Sequence, residues 1–102
     1  MKRTRNGAEE EGEALDMEAF AAVCKALGHP ARIRILRHLQ EVDTCICGQI
    51  VEILPLAQST VSQHLKSLKQ AGLVKGEVEG PSVCYCVDKV MLERFQKTAA
   101  GL

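Results

Sequence analysis

The sequence predicts a mainly α-helical fold, about five helices with one small β-hairpin, working as a dimer. Three observations predict it. Apolar residues recur at three-and-four spacing in blocks separated by Gly and Pro, which is the signature of amphipathic helices. Two alternating segments flank Gly80-Pro81 and read as paired strands. Finally, 102 residues make one domain, and a domain that small buries only about two-thirds of its unfolded surface, so a partner subunit is expected. With aromatic content at 3% and no Trp, the core must be aliphatic.

The elements follow in order. Residues 1–15 combine Lys2, Arg3 and Arg5 with Glu9-Glu10-Glu11-Gly12-Glu13 and almost nothing apolar, so they are predicted to form a flexible tail, leaving 16–102 as the folded domain. Asp16 is the expected N-cap of a first helix with Phe20, Val23, Cys24 and Leu27 on its inner stripe and Gly28 as its stop. Cys24 is read there as a small buried apolar residue. Pro30 suits the first turn of a second helix, with Ile33, Leu36 and Leu39 along one stripe and Arg32, Arg34 and Arg37 on other faces. Residues 44–46 favour a short extended segment, and Gly48 to Leu54 reads as a third helix stopped by Pro55. A fourth helix starts near Gln58 with Ser59 as its cap and Val61, Leu65 and Leu68 buried; Gly72 is its left-handed terminator. Leu73 to Glu79 and Ser82 to Asp88 form the hairpin, with Tyr85 in the core. Lys89 to Ala99 closes the chain through Met91, Leu92 and Phe95.

Net charge is zero but unevenly spread: six acids lie between Glu9 and Glu18, and none between Ile53 and Gly76. One face can therefore be basic on a neutral protein. No run approaches the roughly 20 apolar residues of a membrane span, and the N-terminus lacks signal-peptide features. The chain is thus expected in the cytoplasm, without a membrane partner. Five cysteines in a reducing compartment favour free thiols or metal ligands over a disulfide framework.

Helix, short turn, helix and hairpin is the order of a winged helix-turn-helix, whose second paired helix enters the major groove of double-stranded DNA by its N-terminal end. Gln58, Ser59, Thr60, Ser62, Gln63 and His64 occupy that end. Gln pairs with adenine edges, Ser and Thr serve bases or phosphates, and Lys66, Lys69 and Lys75 suit the backbone.

Cys45-Ile46-Cys47 stands directly before this unit. In an extended segment the two sulfurs share one side and Ile46 takes the other. A disulfide between such near neighbours would be strained, whereas a soft ion such as zinc or copper(I) could take both thiolates. Cys84-Tyr85-Cys86 repeats the pattern. In a winged fold the segment before the paired helices runs beside the hairpin, so Cys45 and Cys47 are expected to face Cys84 and Cys86 about 5 Å away. The four are the predicted metal set.

Ala26-Leu27-Gly28-His29-Pro30-Ala31-Arg32-Ile33-Arg34-Ile35-Leu36, the run from Gln58 to Leu68 and Ala71-Gly72-Leu73-Val74 resemble the ArsR/SmtB family of metal-responsive repressors, in the family's order. The resemblance implies a homodimeric repressor with its first and last helices at the interface, needing no cofactor to bind operator DNA. It also implies that Cys45 and Cys47 match a site sensing arsenic, antimony, cadmium or lead, with As(III) or Sb(III) the leading inducers. Two departures stand out: Ile50 occupies the place where arsenic sensors often carry a third thiol, and Glu77 and Glu79 make the wing acidic. Cys84, Cys86 or both are expected to complete the shell. The family's second site, zinc held by Asp and His on the last helix, is not matched, because beyond Asp88 that helix supplies no His.

One rival keeps the DNA role but makes the thiols a redox switch, with Cys45 or Cys47 bridged to Cys84 or Cys86. A structural zinc module or metal carrier without DNA binding is another, and predicts unfolding when metal is removed. An oxidoreductase wants Cys-x-x-Cys at a helix start within an α/β pattern. No such motif, catalytic triad or phosphate-binding loop is present, so no enzyme is expected.

Overall fold

The structure, a computed structural model, describes residues 13–42, 45–47, 57–79 and 82–102. Among the described residues, four helices and a three-stranded antiparallel sheet follow in the order α1 (Met17–Ala26), α2 (Pro30–Val42), β1 (Ile46–Cys47), α3 (Gln58–Gln70), β2 (Val74–Glu79), β3 (Ser82–Val87) and α4 (Lys89–Ala100). The expected helix over 48–54 and the Gly80-Pro81 turn lie outside the described residues. Among those that are described, no helix is long and apolar enough to cross a membrane.

Local chemistry sets most boundaries. Asp16 Oδ1 accepts from the Ala19 amide at 2.7 Å, capping α1, and Asp88 Oδ1 accepts from the Met91 amide at 3.1 Å, capping α4. Pro30 opens α2, where its missing N–H costs nothing, while His29 Nδ1 accepts from the Ala31 amide at 3.2 Å. The start of α3 departs from expectation. Ser59 already lies inside the helix, and Ala57 is the N-cap, making no side-chain hydrogen bond. Its carbonyl accepts from the amides of Thr60 and Val61 instead.

The end of α3 is a Schellman turn. Gly72, at φ +90°, donates to the Lys69 carbonyl, and Leu73 donates to the Leu68 carbonyl at 3.1 Å. A side chain at position 72 would be strained in that backbone, and its Cβ would sit 3.3 Å from Met91 Cε.

The core is aliphatic, and its most deeply buried large side chains are Val23, Ile35, Leu39, Val61, Leu68 and Leu73. Two expectations are corrected here. Ile33 is exposed and Ile35 takes its place; at about 100° per residue the two point to opposite sides of α2, so only one can face inward. Cys24 is exposed, because Val23 beside it holds the inward position. Of the tail expected over 1–15, residues 1–12 lie outside the described residues, and Leu15 is part of the fold. Leu15 is buried, its amide donates to Thr98 Oγ1 at 2.8 Å, and Arg94 Nε donates to the Glu13 carbonyl at 3.0 Å. Phe20 stacks on Phe95 with ring centroids 5.3 Å apart, tying α1 to α4.

In the sheet β3 is central, in the order β1-β3-β2. Ile46 pairs with Tyr85 and Cys47 with Cys84; on the other side Lys75 pairs with Cys86, Gly76 with Tyr85 and Glu77 with Cys84. Replacing Gly72 by Ala is expected to destabilise the protein by about 1–2 kcal/mol, the cost of forcing a side chain into left-handed backbone. Urea unfolding of the two proteins measures it, and equal midpoints would contradict the turn geometry.

Candidate thiol site and nucleic-acid interface

Strand alternation decides which side chains meet. Ile46 is buried in the core with Tyr85 packed against it, so the cysteines on either side of each lie on the opposite face. Continuing the β1–β3 register by one residue places Cys45 directly across from Cys86. Their Cα atoms are 4.3 Å apart and their sulfurs are joined in a disulfide. Cys84, buried at 2% exposure, is disulfide-bonded as well. Three of the four sequence-selected cysteines are therefore disulfide-bonded, and the Cys45–Cys86 bridge crosses strands as the redox rival supposes. The side chain of Cys47 lies outside the described residues, although its backbone pairs with Cys84.

Two cross-strand rows result. Lys75, Cys86 and Cys45 form one, and Glu77, Cys84 and Cys47 form the other. Cys86 thus stands between Cys45 beside β1 and Lys75 on β2. Among the described residues, no group of three or more His, Cys, Asp or Glu side chains is arranged for a metal ion. A bridged sulfur has no thiolate to offer, and the four-cysteine set fits a soft ion only once reduced.

The DNA-contacting residues expected from the sequence lie mostly on α3. Ser59, Ser62, Gln63, Lys66 and Lys69 are exposed, Thr60 is half-exposed, and Lys75 is exposed on β2. The side chain of Gln58 lies outside the described residues. His64 is the exception and a correction: at 7% exposure it is turned inward, away from any groove. Its place on the stripe with Val61, Leu65 and Leu68 explains this, since those spacings put all four on one helix face.

His64 is held by a cluster that the sequence reading missed. Arg32 Nε donates to His64 Nδ1 at 3.1 Å, while Arg32 Nη1 donates to the Ala26 carbonyl at 3.3 Å. His29 lies against His64 with ring centroids 4.5 Å apart. One guanidinium therefore links the end of α1, the start of α2 and the middle of α3. Burial pushes the His64 imidazole below its usual range, and the charges of His29 and Arg32 add to the effect.

Above pH 6.5 His64 is neutral both folded and unfolded; below it, the unfolded chain takes up a proton that the folded protein resists. Stability from this site is thus complete above about pH 6.5 and declines as pH falls toward the lower folded value. Urea unfolding between pH 7.5 and 5 is expected to fall less steeply with acid in His64→Asn than in the native protein. Parallel curves would contradict the cluster.

Similarity to known proteins agrees with this layout. Residues 29–75 match the family described as "Bacterial regulatory protein, arsR family". The transcriptional repressor SmtB of Mycobacterium tuberculosis is 42% identical over 69 residues, 68% of this chain but only 50% of SmtB, so the chain spans about half the length of that relative. An HTH-type transcriptional regulator of Methanocaldococcus jannaschii is 42% identical over 73 residues, covering 70% of this chain and 81% of its own. A crystal structure of an ArsR family transcriptional regulator superimposes with a TM-score of 0.74 over 86% of this chain and 90% of its own; at 17% identity that is a likeness of fold.

Proposed function

Because the chain belongs to the ArsR family of bacterial regulatory proteins, we propose that it is a DNA-binding transcriptional repressor whose hold on its operator is set by the bonding state of the cysteines facing each other across β1 and β3. The observation that carries the reading is the Cys45–Cys86 bridge, which ties the strand entering the helix-turn-helix to the central strand of the wing.

The protein acts as a homodimer on a roughly palindromic operator in the reducing cytoplasm, where the thiols start open. Exposed Met17 on α1 and Val90 on α4 support dimer contacts through those helices. The N-terminal half of α3 reads base edges through Ser59, Thr60, Ser62 and Gln63, with Gln58 at its first position. Lys66, Lys69 and Lys75 neutralise phosphates. With the thiols open, β1 is held to β3 by main-chain bonds and adjusts as α3 seats in the groove. A peroxide closes the bridge: the two thiols give up two electrons and two protons, the O–O bond breaks, and hydrogen peroxide leaves as two waters. The covalent tie fixes β1 against the wing and the operator is released.

A second reading keeps the same sulfurs but makes the effector an ion. It is favoured by the rows that put four cysteines on one sheet face, since As(III) or Sb(III) takes three thiolates and Cd(II), Pb(II), Zn(II) or Cu(I) also prefers sulfur. Capture by Cys45 and Cys47, completed by Cys84 or Cys86, would displace β1 as bridging does.

Gel-shift titration separates the two. Reduced protein is expected to bind operator DNA, and peroxide to weaken binding about five- to 150-fold, the range of allosteric couplings of 1–3 kcal/mol, with dithiothreitol restoring it. Cys45→Ser and Cys86→Ser should hold DNA through peroxide treatment. Release by stoichiometric As(III) under strict reduction would favour the ion, and release that persists without Cys45 and Cys86 would remove the thiols from the mechanism.

A further inference from the structure

The disulfide is not on a bare surface. It forms part of the wall of a cavity of about 320 Å³ between α2, β3 and α4. Leu39, Val87 and Leu92 supply apolar wall, and Leu39 and Leu92 belong to the buried core. Exposed polar side chains, among them Gln40 and Gln96, stand around the opening. The space holds about ten waters at liquid density and lies at the small end of organic-ligand pockets.

This shape bears on what reaches the sulfurs. A bare ion or hydrogen peroxide would fill a small part of the cavity and gain nothing from the leucines and valine. A molecule with an apolar body and a reactive oxygen head would bury the one while presenting the other.

We infer that this cavity binds an organic hydroperoxide and delivers its O–O bond to the Cys45–Cys86 pair, an inference that rests on the dithiol–disulfide reading above. Cys45, the more exposed of the two, is the sulfur attacked. Its thiolate takes the terminal oxygen of ROOH, the O–O bond breaks, and the alkoxide leaves with a solvent proton as the alcohol. Cys86 then displaces hydroxide from the Cys45 sulfenic acid, which departs as water once the Cys86 proton is counted. The sum is ROOH plus two thiols giving one disulfide, ROH and H₂O.

The experiment uses the reduced full chain, mixed with cumene hydroperoxide or with hydrogen peroxide, following loss of the Cys45 and Cys86 thiols by alkylation and mass spectrometry. Each rate is divided by that of free dithiothreitol with the same oxidant, which removes the reagents' intrinsic difference. Cumene hydroperoxide is expected to be favoured about tenfold or more, the discrimination that a few buried apolar groups provide. Gln40→Trp and Gln96→Trp, at exposed positions that leave the core intact, should each reduce that preference while the hydrogen peroxide rate stays unchanged. Equal normalised rates in the native protein, or a preference undiminished in both variants, would overturn the cavity's role while leaving the redox switch standing. If neither peroxide closes the pair, the redox reading falls and this inference with it.

Discussion

The register between β1 and β3 is the constraint on which the rest depends. Side chains alternate with period two, so pairing Ile46 with Tyr85 in the core puts Cys45 opposite Cys86 on the other face. A slip of one residue would turn Ile46 to solvent and remove the bridge together. Burial of one isoleucine thus enforces the thiol chemistry, and a strand of only two residues, Ile46–Cys47, suffices to position it.

A second constraint acts at α3. That helix starts without a side-chain cap, so its placement comes from tertiary contacts more than from local chemistry. Val61, Leu65 and Leu68 bury one face, and Arg32 adds a directional tie through His64 that apolar packing lacks. The polar side left facing outward carries the short hydroxyls, Gln63 and the lysines. The face proposed to read DNA is in this sense what remains after the core has taken its share.

Much of this was legible in the sequence. Asp16, Pro30 and Gly72 marked boundaries because capping, a missing N–H and left-handed backbone are local matters. The facing of the two Cys-x-Cys pairs followed from strand alternation and the expected placing of the segment beside the hairpin. What failed depended on helix phase or long-range partners. The periodicity puts Ile33 on the inner stripe where the structure buries Ile35, puts Cys24 inward beside Val23, and leaves His64 among the groove-facing residues although its spacing from Val61 and Leu68 puts it on the apolar stripe. Arg32 could not be found from spacing, since its partners come from α1 and α3. The anchoring of Leu15 by Thr98 escaped for the same reason, the two being 83 residues apart. The expectation of free thiols or metal ligands over disulfides is corrected by the Cys45–Cys86 bridge, because the same spacing that suits an ion also suits a cross-strand bond.

Leu73 gives the turn after α3 a further significance. It is fully buried, its amide is bonded to the Leu68 carbonyl, and its own carbonyl accepts from the Asp88 amide at 2.8 Å, where β3 hands over to α4. One residue thus joins the end of α3 to the end of the strand that carries Cys86. A displacement at the end of β3 is therefore felt first at the base of α3, where the buried Leu68 and the Arg32–His64 tie further along the helix resist it.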